Sequence, residues 1–231
     1  MDWETLLKEN YFKILENIQR ACEKSRRKLE EIKILGASKK QTSEKIKIAF
    51  KLGIKLFGEN YVQEAEKKIF ELKDFPIEWH FIGRLQTNKV KKALNLFSMI
   101  QTLDRINLAQ EIQKQAEKRD LIVPVLVEVN IGKEPTKGGV YPEKLEEFIG
   151  EVKNFNRIKI KGLMCLPPYE ENPEKVRPYF IKMQKIFEKI KTYMNSEFKE
   201  LSMGTSNDYT IAIEEGATII RIGEALFGKR S

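Results

Sequence analysis

The sequence is poor in the residues from which disulfide frameworks and structural metal sites are built. It contains two cysteines, Cys22 and Cys165, which lie far apart in the chain, and a single histidine, His80. Two distant cysteines are typical of free thiols in a reducing cytoplasm. One histidine without a nearby cysteine pair argues against a structural zinc site. We therefore expect no disulfide and no metal.

Long apolar segments are also absent. The run LIVPVLV at 121–127 ends at Glu128, well short of the roughly 20 residues that a membrane-spanning helix needs. Near the start of the chain, Asp2, Glu4 and Lys8 stand where a signal peptide would carry its apolar core. These features predict a soluble, cytoplasmic protein with no membrane partner.

Charge is plentiful but scattered. Lysine and arginine number 42 against 34 acidic residues, which gives a net charge of +8 and raises the question of nucleic acid. However, the only tight basic clusters are KSRRK at 24–28 and KVKK at 89–92. A small anionic ligand would use such charge equally well, so nucleic-acid binding is kept only as a minor alternative. The apolar fraction of 41% is that of a globular protein and excludes disorder.

The order of apolar patterns predicts the fold class. Helical spacing from Trp3 to Lys28 is followed by eight short β-like runs that alternate with amphipathic helical stretches. The β-like runs are 32–38, 55–58, 77–82, 97–101, 122–130, 158–164, 199–203 and 218–222, and clear helical stretches are 61–73, 105–119, 142–153 and 173–194. This pattern favours an α/β protein, a (β/α)₈ TIM barrel in a single domain over 1–231, with the helix in 1–29 packed on the barrel. A doubly wound open sheet is the alternative.

In a (β/α)₈ barrel the functional groups lie at the C-terminal ends of the strands, at the open mouth. The segments expected there are SKK at 38–40, FGENYVQE at 57–64, WHFIGRLQTNK at 79–89, LSMGTSND at 201–208 and RIGEALFG at 221–228. Glycines and small hydroxyl side chains are concentrated after the seventh and eighth strands, where such barrels often bind phosphate.

Three other motifs do not support a function. GEALFGKR at 223–230 resembles a phosphate-binding P-loop, but Arg230 stands where a Ser or Thr should bind magnesium. The segment 201–208 lacks the G-x-S-x-G turn of a serine hydrolase. Asp104 and Glu111 are expected on the solvated face of a helix.

The predicted mouth combines a lysine after the first strand, the amide of Asn60, the guanidinium of Arg221 and a glycine–serine turn. A lysine in a partly dry site can form a Schiff base, and backbone N–H groups near glycines can bind phosphate. The set suits an aldehyde cofactor that carries a phosphate. Strand alternation alone does not decide between Lys39 and Lys40.

Several of these segments, in order, resemble the YggS/PROSC family of pyridoxal-phosphate (PLP) homeostasis proteins. They are ASKK, FGENYVQE, WHFIGRLQTNK, LVEVNIGKEPTKGG, GLM and LSMGTSNDYTIAIEEGATIIRIGEALFG, and the similarity runs from about residue 30 to 228. The resemblance implies the fold of the N-terminal barrel of alanine racemase. It also implies that PLP is held as a Schiff base (aldimine) on Lys39, which directly follows the serine of the SK motif, with Lys40 as a bystander.

The other site residues are likewise implied by the resemblance. Asn60 is expected near the cofactor ring and Arg221 at its pyridine nitrogen. The phosphate is expected to be held by Ser202, Met203, Gly204, Ser206, Gly223 and Glu224, and the mouth to be shaped by His80, Gly83 and Asn88. For His80 a plain packing role is an equal alternative. Thr205 stands where relatives commonly have methionine, and Glu224 where many have Thr, Ser or Arg. A carboxylate repels phosphate, so we expect Glu224 to turn outward and offer only its backbone N–H.

The implied chemistry argues against an enzyme. Arginine, with a pKa above about 12, is a poor proton donor to the pyridine nitrogen, so the ring is a weaker electron sink. Racemisation also needs a second base, which the racemases take from a tyrosine of a second domain, and no such domain follows up to Ser231. We therefore expect a buffer or carrier in intracellular PLP homeostasis, without robust catalysis and monomeric. PLP-dependent apoenzymes and free amino acids are candidate partners, and a weak PLP-dependent amino-acid racemase is the alternative.

Overall fold

The structure, a computed structural model, describes residues 2–229. Its eight parallel strands form a closed barrel in chain order, and β8 pairs with β1. The strands are β1 Lys33–Ala37, β2 Leu56–Glu59, β3 Glu78–Phe81, β4 Met99–Leu103, β5 Val123–Val129, β6 Ile158–Cys165, β7 Glu200–Ser202 and β8 Ile219–Ile222. The (β/α)₈ barrel is confirmed, and the open doubly wound sheet is excluded.

The helices precede, separate and follow the strands as the sequence predicts. They are α1 Trp3–Ser25, α2 Ser43–Leu52, α3 Val62–Glu71, α4 Val90–Leu96, α5 Ile106–Glu117, α6 Leu145–Val152, α7 Arg177–Lys191, α8 Tyr209–Glu214 and α9 Glu224–Phe227. Local signals set their ends. For example, the Thr42 side chain accepts the N–H of Lys45 at the start of α2, and Gly53, with φ of 128°, ends the same helix.

Apolar side chains fill two layers because strand residues alternate between the two faces of the sheet. Inside the barrel, a small cluster is formed by Leu35, Leu56, Ile82, Leu126, Met164 and Ile219. The neighbouring residues in the strands, such as Phe57 and Val125, point outward and pack beneath the helices in a larger core. The barrel interior also contains polar side chains, because Leu35 pairs with Arg221, and Met164 with Ser202, in the parallel register.

A glycine allows the close approach of β6 and β7. Gly162 has φ of 155°, and a Cβ atom placed on it would lie 1.7 Å from the carbonyl oxygen of Glu200. No side chain can occupy that space. The neighbouring positions of these strands, Leu163 and Leu201, can therefore pair directly.

The N-terminal helix α1 packs on α2, α8 and α9. The Asn17 amide donates to the Tyr209 hydroxyl (2.9 Å), and the Asn10 amide donates to the carbonyl oxygen of Leu226 (3.1 Å). Although α1 has 23 residues, no helix within residues 2–229 is both long and apolar enough to cross a membrane. Cys22 of α1 and Cys165 of β6 are buried free thiols, as predicted.

Candidate cofactor site at the barrel mouth

The turn after β1 treats its two lysines differently. Ser38 is fully buried, Lys39 is half-buried and Lys40 is exposed. Lys40 has a left-handed backbone with φ of 62°, which is uncommon for a residue with a side chain. Its N–H donates to the carboxylate of Glu64 (2.5 Å). The chain thus turns sharply at Lys40 and leaves Lys39 as the less exposed of the two amines.

A buried group of charges, the Glu59 cluster (Ser38, Glu59, Glu64 and Lys68), lies between this turn and α3. The Lys68 ammonium donates to the Ser38 carbonyl (2.7 Å), to Glu59 Oε1 (2.7 Å) and to Glu64 Oε1 (2.6 Å). The Ser38 hydroxyl also donates to Glu59 Oε1 (2.6 Å). Lys68 therefore binds the carbonyl before Lys39, while Glu64 binds the N–H after it. The cluster clamps the backbone on both sides of Lys39.

Burial dominates the electrostatics of this cluster. Glu59 is fully buried, and its Oε2 atom has no hydrogen-bond partner among the described residues. Burial raises the pKa of the Glu59 carboxyl, and the ammonium of Lys68 opposes that rise. Sequence reasoning missed both residues. The available signal was Lys68 itself, which occupies the apolar stripe of α3 formed by Val62, Ala65 and Leu72.

A second polar group, the interior chain (Glu78, His80, Gln101, Ser202 and Arg221), runs through the barrel and is buried except at Glu78, whose side chain is exposed. Arg221 donates from Nη1 to the Ser202 hydroxyl (2.6 Å) and from Nη2 to the carbonyl of Cys165 (2.8 Å). The Ser202 hydroxyl donates to Gln101 Oε1 (2.7 Å). Arg221 is thus held by side chains and backbone of neighbouring strands, near the C-terminal end of β8.

The rest of the interior chain leads away from the mouth. Gln101 Nε2 lies 2.8 Å from His80 Nδ1, and His80 Nε2 lies 2.9 Å from Glu78 Oε1. His80 is 2% exposed and sits within β3, so its side chain lies inside the barrel. The hydrogen bond from His80 is the main cause that lowers the pKa of the Glu78 carboxyl.

The turn after β7 meets the turn after β8 at Ser206. The Ser206 hydroxyl oxygen accepts the N–H groups of Gly223 (3.1 Å) and Ala225 (3.0 Å). Thr205 donates its N–H (2.6 Å) and its hydroxyl (3.1 Å) to Asp208 Oδ1. Thr205, one of the departures from the family pattern, therefore stabilises the turn itself. The Glu224 side chain is exposed.

Three of the residues predicted to hold phosphate already make hydrogen bonds or packing contacts inside the protein. The N–H of Met203 donates to the carbonyl of Ile219 (3.1 Å), and the Met203 side chain lies in the core. Gly204, with φ of 92°, packs against Ala212 and accepts the Arg221 N–H through its carbonyl. The hydroxyl of Ser202 belongs to the interior chain. Of the six residues, Ser206, Gly223 and Glu224 keep at least partial exposure.

On the opposite side of the mouth, the loops after β2 and β3 touch through their backbones. A Cβ atom on Gly83 would lie 2.2 Å from the carbonyl oxygen of Asn60, so only glycine fits. Both residues line a cavity of about 510 Å³ whose basic side chains are Arg84, Lys89 and Arg105 and whose lining contains no carboxylate. Asn88 is exposed in the neighbouring 3₁₀ turn Thr87–Lys89. A cavity of this charge suits an anionic group.

A second cavity, of about 710 Å³, lies between α1 and the turns after β7 and β8. Ser206 and Glu224 line it on one side, and Asn10, Lys13 and Asn17 of α1 line it on the other. The Ser206 turn can therefore be reached from solvent.

One prediction about this region was wrong. Asp104 does not lie on a solvated helix face, because it precedes α5 and its side chain is only 6% exposed. It accepts hydrogen bonds from Arg105 (2.5 Å) and from the N–H of Gly139 (3.4 Å). Glu111 does lie on α5, partly exposed. Asp104 was misread because its apolar neighbours on both sides fit a helix as well as a strand end.

Asp104 has a consequence for Glu128 on β5. Burial, and next the charge of Asp104, raise the pKa of the Glu128 carboxyl to about 7, and Arg221 and Arg84 oppose the rise. The barrel therefore contains a carboxyl group that changes charge near neutral pH, and sequence reasoning did not single it out.

The ends of β1 and β8 bring the central residues together. Leu35 pairs with Arg221 in the parallel register, and a Cβ atom on Gly223 would lie 3.4 Å from the carbonyl oxygen of Ala37. The adjacent ends of β1 and β8 thus carry the half-buried residue Lys39 and the buried guanidinium of Arg221. A turn rich in N–H and hydroxyl groups lies beside them. This donor set fits an aldehyde that carries a phosphate.

Comparison with known proteins agrees with this chemistry. Residues 13–231 match the alanine racemase N-terminal domain. A protein of Aquifex aeolicus named pyridoxal phosphate homeostasis protein is 50% identical over 222 residues, which cover 96% of this chain and 97% of that protein. A protein of the same name from Pasteurella multocida is 36% identical and covers 97% of both chains. The chain therefore belongs to the YggS/PROSC family of pyridoxal phosphate homeostasis proteins.

Solved structures show the same fold. A protein of unknown function from Bifidobacterium adolescentis superposes with a TM-score of 0.90 at 28% identity, covering 98% of this chain and 97% of that one. PipY of Synechococcus elongatus, solved with PLP bound, superposes with a TM-score of 0.79 at 30% identity, covering 86% of this chain and 93% of that one.

Proposed function

We propose that this protein binds pyridoxal 5'-phosphate as a Schiff base on Lys39 and takes part in intracellular PLP homeostasis, by buffering or delivering the cofactor, without robust catalysis. The observation that carries the proposal is the adjacency of β1 and β8, where Leu35 pairs with Arg221 and Ala37, two residues before Lys39, lies beside Gly223. The names of the relatives and the PLP bound to PipY support it.

Each residue has a distinct role in this proposal. Lys39 supplies the amine, and the Glu59 cluster fixes its backbone. The phosphate lies at the Ser206 turn, near the N–H groups of Gly223 and Glu224, while Asn60 borders the ring. PLP, when bound, supplies an aldehyde that condenses with amines and withdraws electrons from them. The protein's residues hold it, orient it and leave its phosphate side open.

Arg221 argues for storage over catalysis. Its guanidinium is 5% exposed and held at both Nη atoms, so it is fixed in place. Burial lowers the pKa of Arg221, and the negative charges of Asp208 and Glu128 oppose that change. A positive charge beside the pyridine nitrogen disfavours protonation of the ring, which weakens it as an electron sink.

A weak PLP-dependent amino-acid racemase is the second candidate, and Glu128 is the observation that favours it. A carboxyl with a pKa of about 7 near Arg221 is poised to accept and return a proton at neutral pH. The racemase reading requires turnover above that of free PLP which is lost in Glu128→Gln. The homeostasis reading predicts no such turnover.

The setting of this function is also proposed. The protein is cytoplasmic and monomeric, and it exchanges PLP with PLP-dependent apoenzymes or with free amino acids. Nucleic-acid binding, the remaining alternative, predicts salt-sensitive retention on RNA or DNA that Lys39→Ala leaves unchanged.

The test is an absorbance spectrum of the PLP-loaded protein, followed by borohydride reduction and peptide mass mapping. We expect a Schiff-base band and a pyridoxyl adduct on the peptide at Lys39. Lys39→Ala should abolish both, and Lys40→Ala, the matched control one residue away, should keep both. Label at Lys40 would overturn the assignment of Lys39 but not PLP binding. No band after addition of PLP would overturn the proposed function.

A further inference from the structure

The interior chain contains the single histidine of the protein, and this side chain is almost fully buried. His80, Gln101 and Ser202 are at most 2% exposed, and each lies within hydrogen-bond distance of the next member. The ends differ in chemistry. Arg221 can only donate hydrogen bonds, and ionised Glu78 can only accept them.

These two ends fix the direction of every hydrogen bond between them. Because Arg221 donates to the Ser202 oxygen, the Ser202 hydroxyl must donate onward, and it faces Gln101 Oε1. Gln101 then presents its Nε2 to His80 Nδ1, which must accept. The ring proton is therefore on Nε2 of His80, which donates to Glu78. The same hydrogen-bond directions follow from the other end, because the Glu78 carboxylate can only accept and Nε2 of His80 must therefore donate to it.

The reverse orientation of the Gln101 amide is unfavourable. It would place Nε2 against the Ser202 oxygen, so the buried hydroxyl would lose its acceptor and keep an unsatisfied donor. It would also place Oε1 against His80 Nδ1, which would then need a proton in addition to the one on Nε2. Only the first orientation satisfies each group with a neutral imidazole.

We propose that His80, Gln101 and Ser202 are positioning residues, which form a one-directional hydrogen-bond chain that holds the guanidinium of Arg221 toward the mouth and keeps His80 as its neutral Nε2–H tautomer. In this chain each dipole turns its negative end toward Arg221 and its positive end toward Glu78, so the bonds reinforce one another. The part of the inference that concerns PLP rests on the proposed function.

Because the protein has one histidine, its ring-nitrogen signals in an NMR spectrum need no assignment to a residue, and they report the tautomer of His80 directly. ¹⁵N-histidine-labelled protein without PLP should give one protonated and one unprotonated ring nitrogen at neutral pH, and couplings to the ring protons should identify Nε2 as the protonated one. A proton on Nδ1, protons on both nitrogens, or rapid exchange between tautomers would overturn the proposal, whether or not the protein binds PLP.

A substitution of Gln101 sharpens this test. Gln101→Glu keeps an acceptor for Ser202 but places a carboxylate beside Nδ1, so we expect His80 to become doubly protonated, between two carboxylates. The matched control is Gln110→Glu, because Gln110 is exposed on α5; its His80 signals should equal those of wild type. If the His80 ring-nitrogen signals of Gln101→Glu equal those of wild type, the proposed hydrogen-bond chain is refuted. If that variant does not fold, the wild-type spectrum still decides.

The link to Arg221 is tested by Ser202→Ala, which removes the acceptor of Nη1. We expect PLP binding about tenfold weaker, the effect of one hydrogen bond to a charged group, together with a shifted absorbance band. Unchanged affinity and band would overturn the role of the chain in holding Arg221. Absence of PLP binding by wild type, with the expected tautomer, would refute the proposed function and leave the chain intact.

Discussion

The Glu59 cluster and the interior chain are both largely buried polar groups of the barrel, but they differ in how they carry charge. The cluster concentrates two carboxylates and one ammonium around a single point, and one carboxylate oxygen has no hydrogen-bond partner within residues 2–229. The interior chain keeps its charges at its two ends and places neutral groups between them. The cluster holds backbone, at Ser38 and Lys40, whereas the chain holds a side chain, that of Arg221.

This difference in the arrangement of charge predicts different losses of stability when a residue of the Glu59 cluster or of the interior chain is substituted. Removal of one ion from a buried ion pair leaves the other charge without compensation, which costs several kcal/mol. Removal of one member of a neutral chain leaves two polar groups unsatisfied at a smaller cost. The two groups should therefore be separable by substitution.

The largest effect is expected from Lys68→Met. It should lower the free energy of unfolding by about 3–5 kcal/mol, since Glu59 would remain buried without a counter-charge. The matched control is Lys67→Met, one residue earlier in α3, where an 80% exposed lysine lies 3.9 Å from Glu71 and the expected loss is about 0–1 kcal/mol. Urea denaturation of both variants gives the comparison. Equal losses would mean that the Glu59 cluster is not a compensated ion pair.

The next effect concerns pH and Glu128 of β5, whose carboxyl interacts electrostatically with Arg221. The pKa of Glu128 is raised from 4.5 to about 7 in the folded protein. Its contribution to stability is therefore full below about pH 4.5 and is lost as the pH rises to about 7. Relative to Glu128→Gln, wild type should lose about 3 kcal/mol between these limits.

This pH effect is measured by urea denaturation of both proteins from pH 4.5 to 8. The groups that face Glu128 are Asp104, Arg84, Arg105 and Arg221, and all of them are the same in both proteins. The difference between wild type and variant therefore isolates Glu128. A difference that does not change with pH would contradict the raised pKa.

A smaller effect is expected from Gln101→Leu. The variant leaves the Ser202 hydroxyl hydrogen without its acceptor and His80 Nδ1 without its donor, while Arg221 still donates to the Ser202 oxygen. The free energy of unfolding should therefore fall by about 1–3 kcal/mol. Gln110→Leu, at an exposed position of α5, should change it by less than about 0.5 kcal/mol. If Gln101→Leu proves as costly as Lys68→Met, the distinction between the two groups fails.

The smallest effect is expected from Glu64→Gln. The amide oxygen can still accept from Lys40 N–H and from Lys68, but the bonds lose their charge assistance, so the loss should be about 1 kcal/mol. Thermal unfolding gives the measurement, with Glu71→Gln near the end of α3 as a control of similar chemistry. A loss as large as that of Lys68→Met would show that Glu64, and not Glu59, is the main partner of Lys68.

The barrel could be predicted from the sequence because its strands are short apolar runs separated by amphipathic helices, a pattern that few folds share. The positions of Lys39 and Arg221 followed from the family motifs. The Glu59 cluster could not, because Glu59 and Lys68 meet only after β2 and α3 pack together. The contact between Gln101 and His80 could not be predicted either, since the sequence of a strand does not show which residue of another strand its polar side chains will contact.

The contacts of α1 have a consequence for synthesis on the ribosome. Of the three helices that cover its apolar face, α8 and α9 are made last, and the bond between Asn10 and Leu226 joins residues 216 positions apart. At about 5–20 residues per second, translation of that interval takes roughly 10–40 s. During this time Ile14, Ile18 and the other buried residues of α1 lack most of their partners. Helix α1 is thus made well before most of its packing partners and is buried late, although it precedes the barrel in the chain.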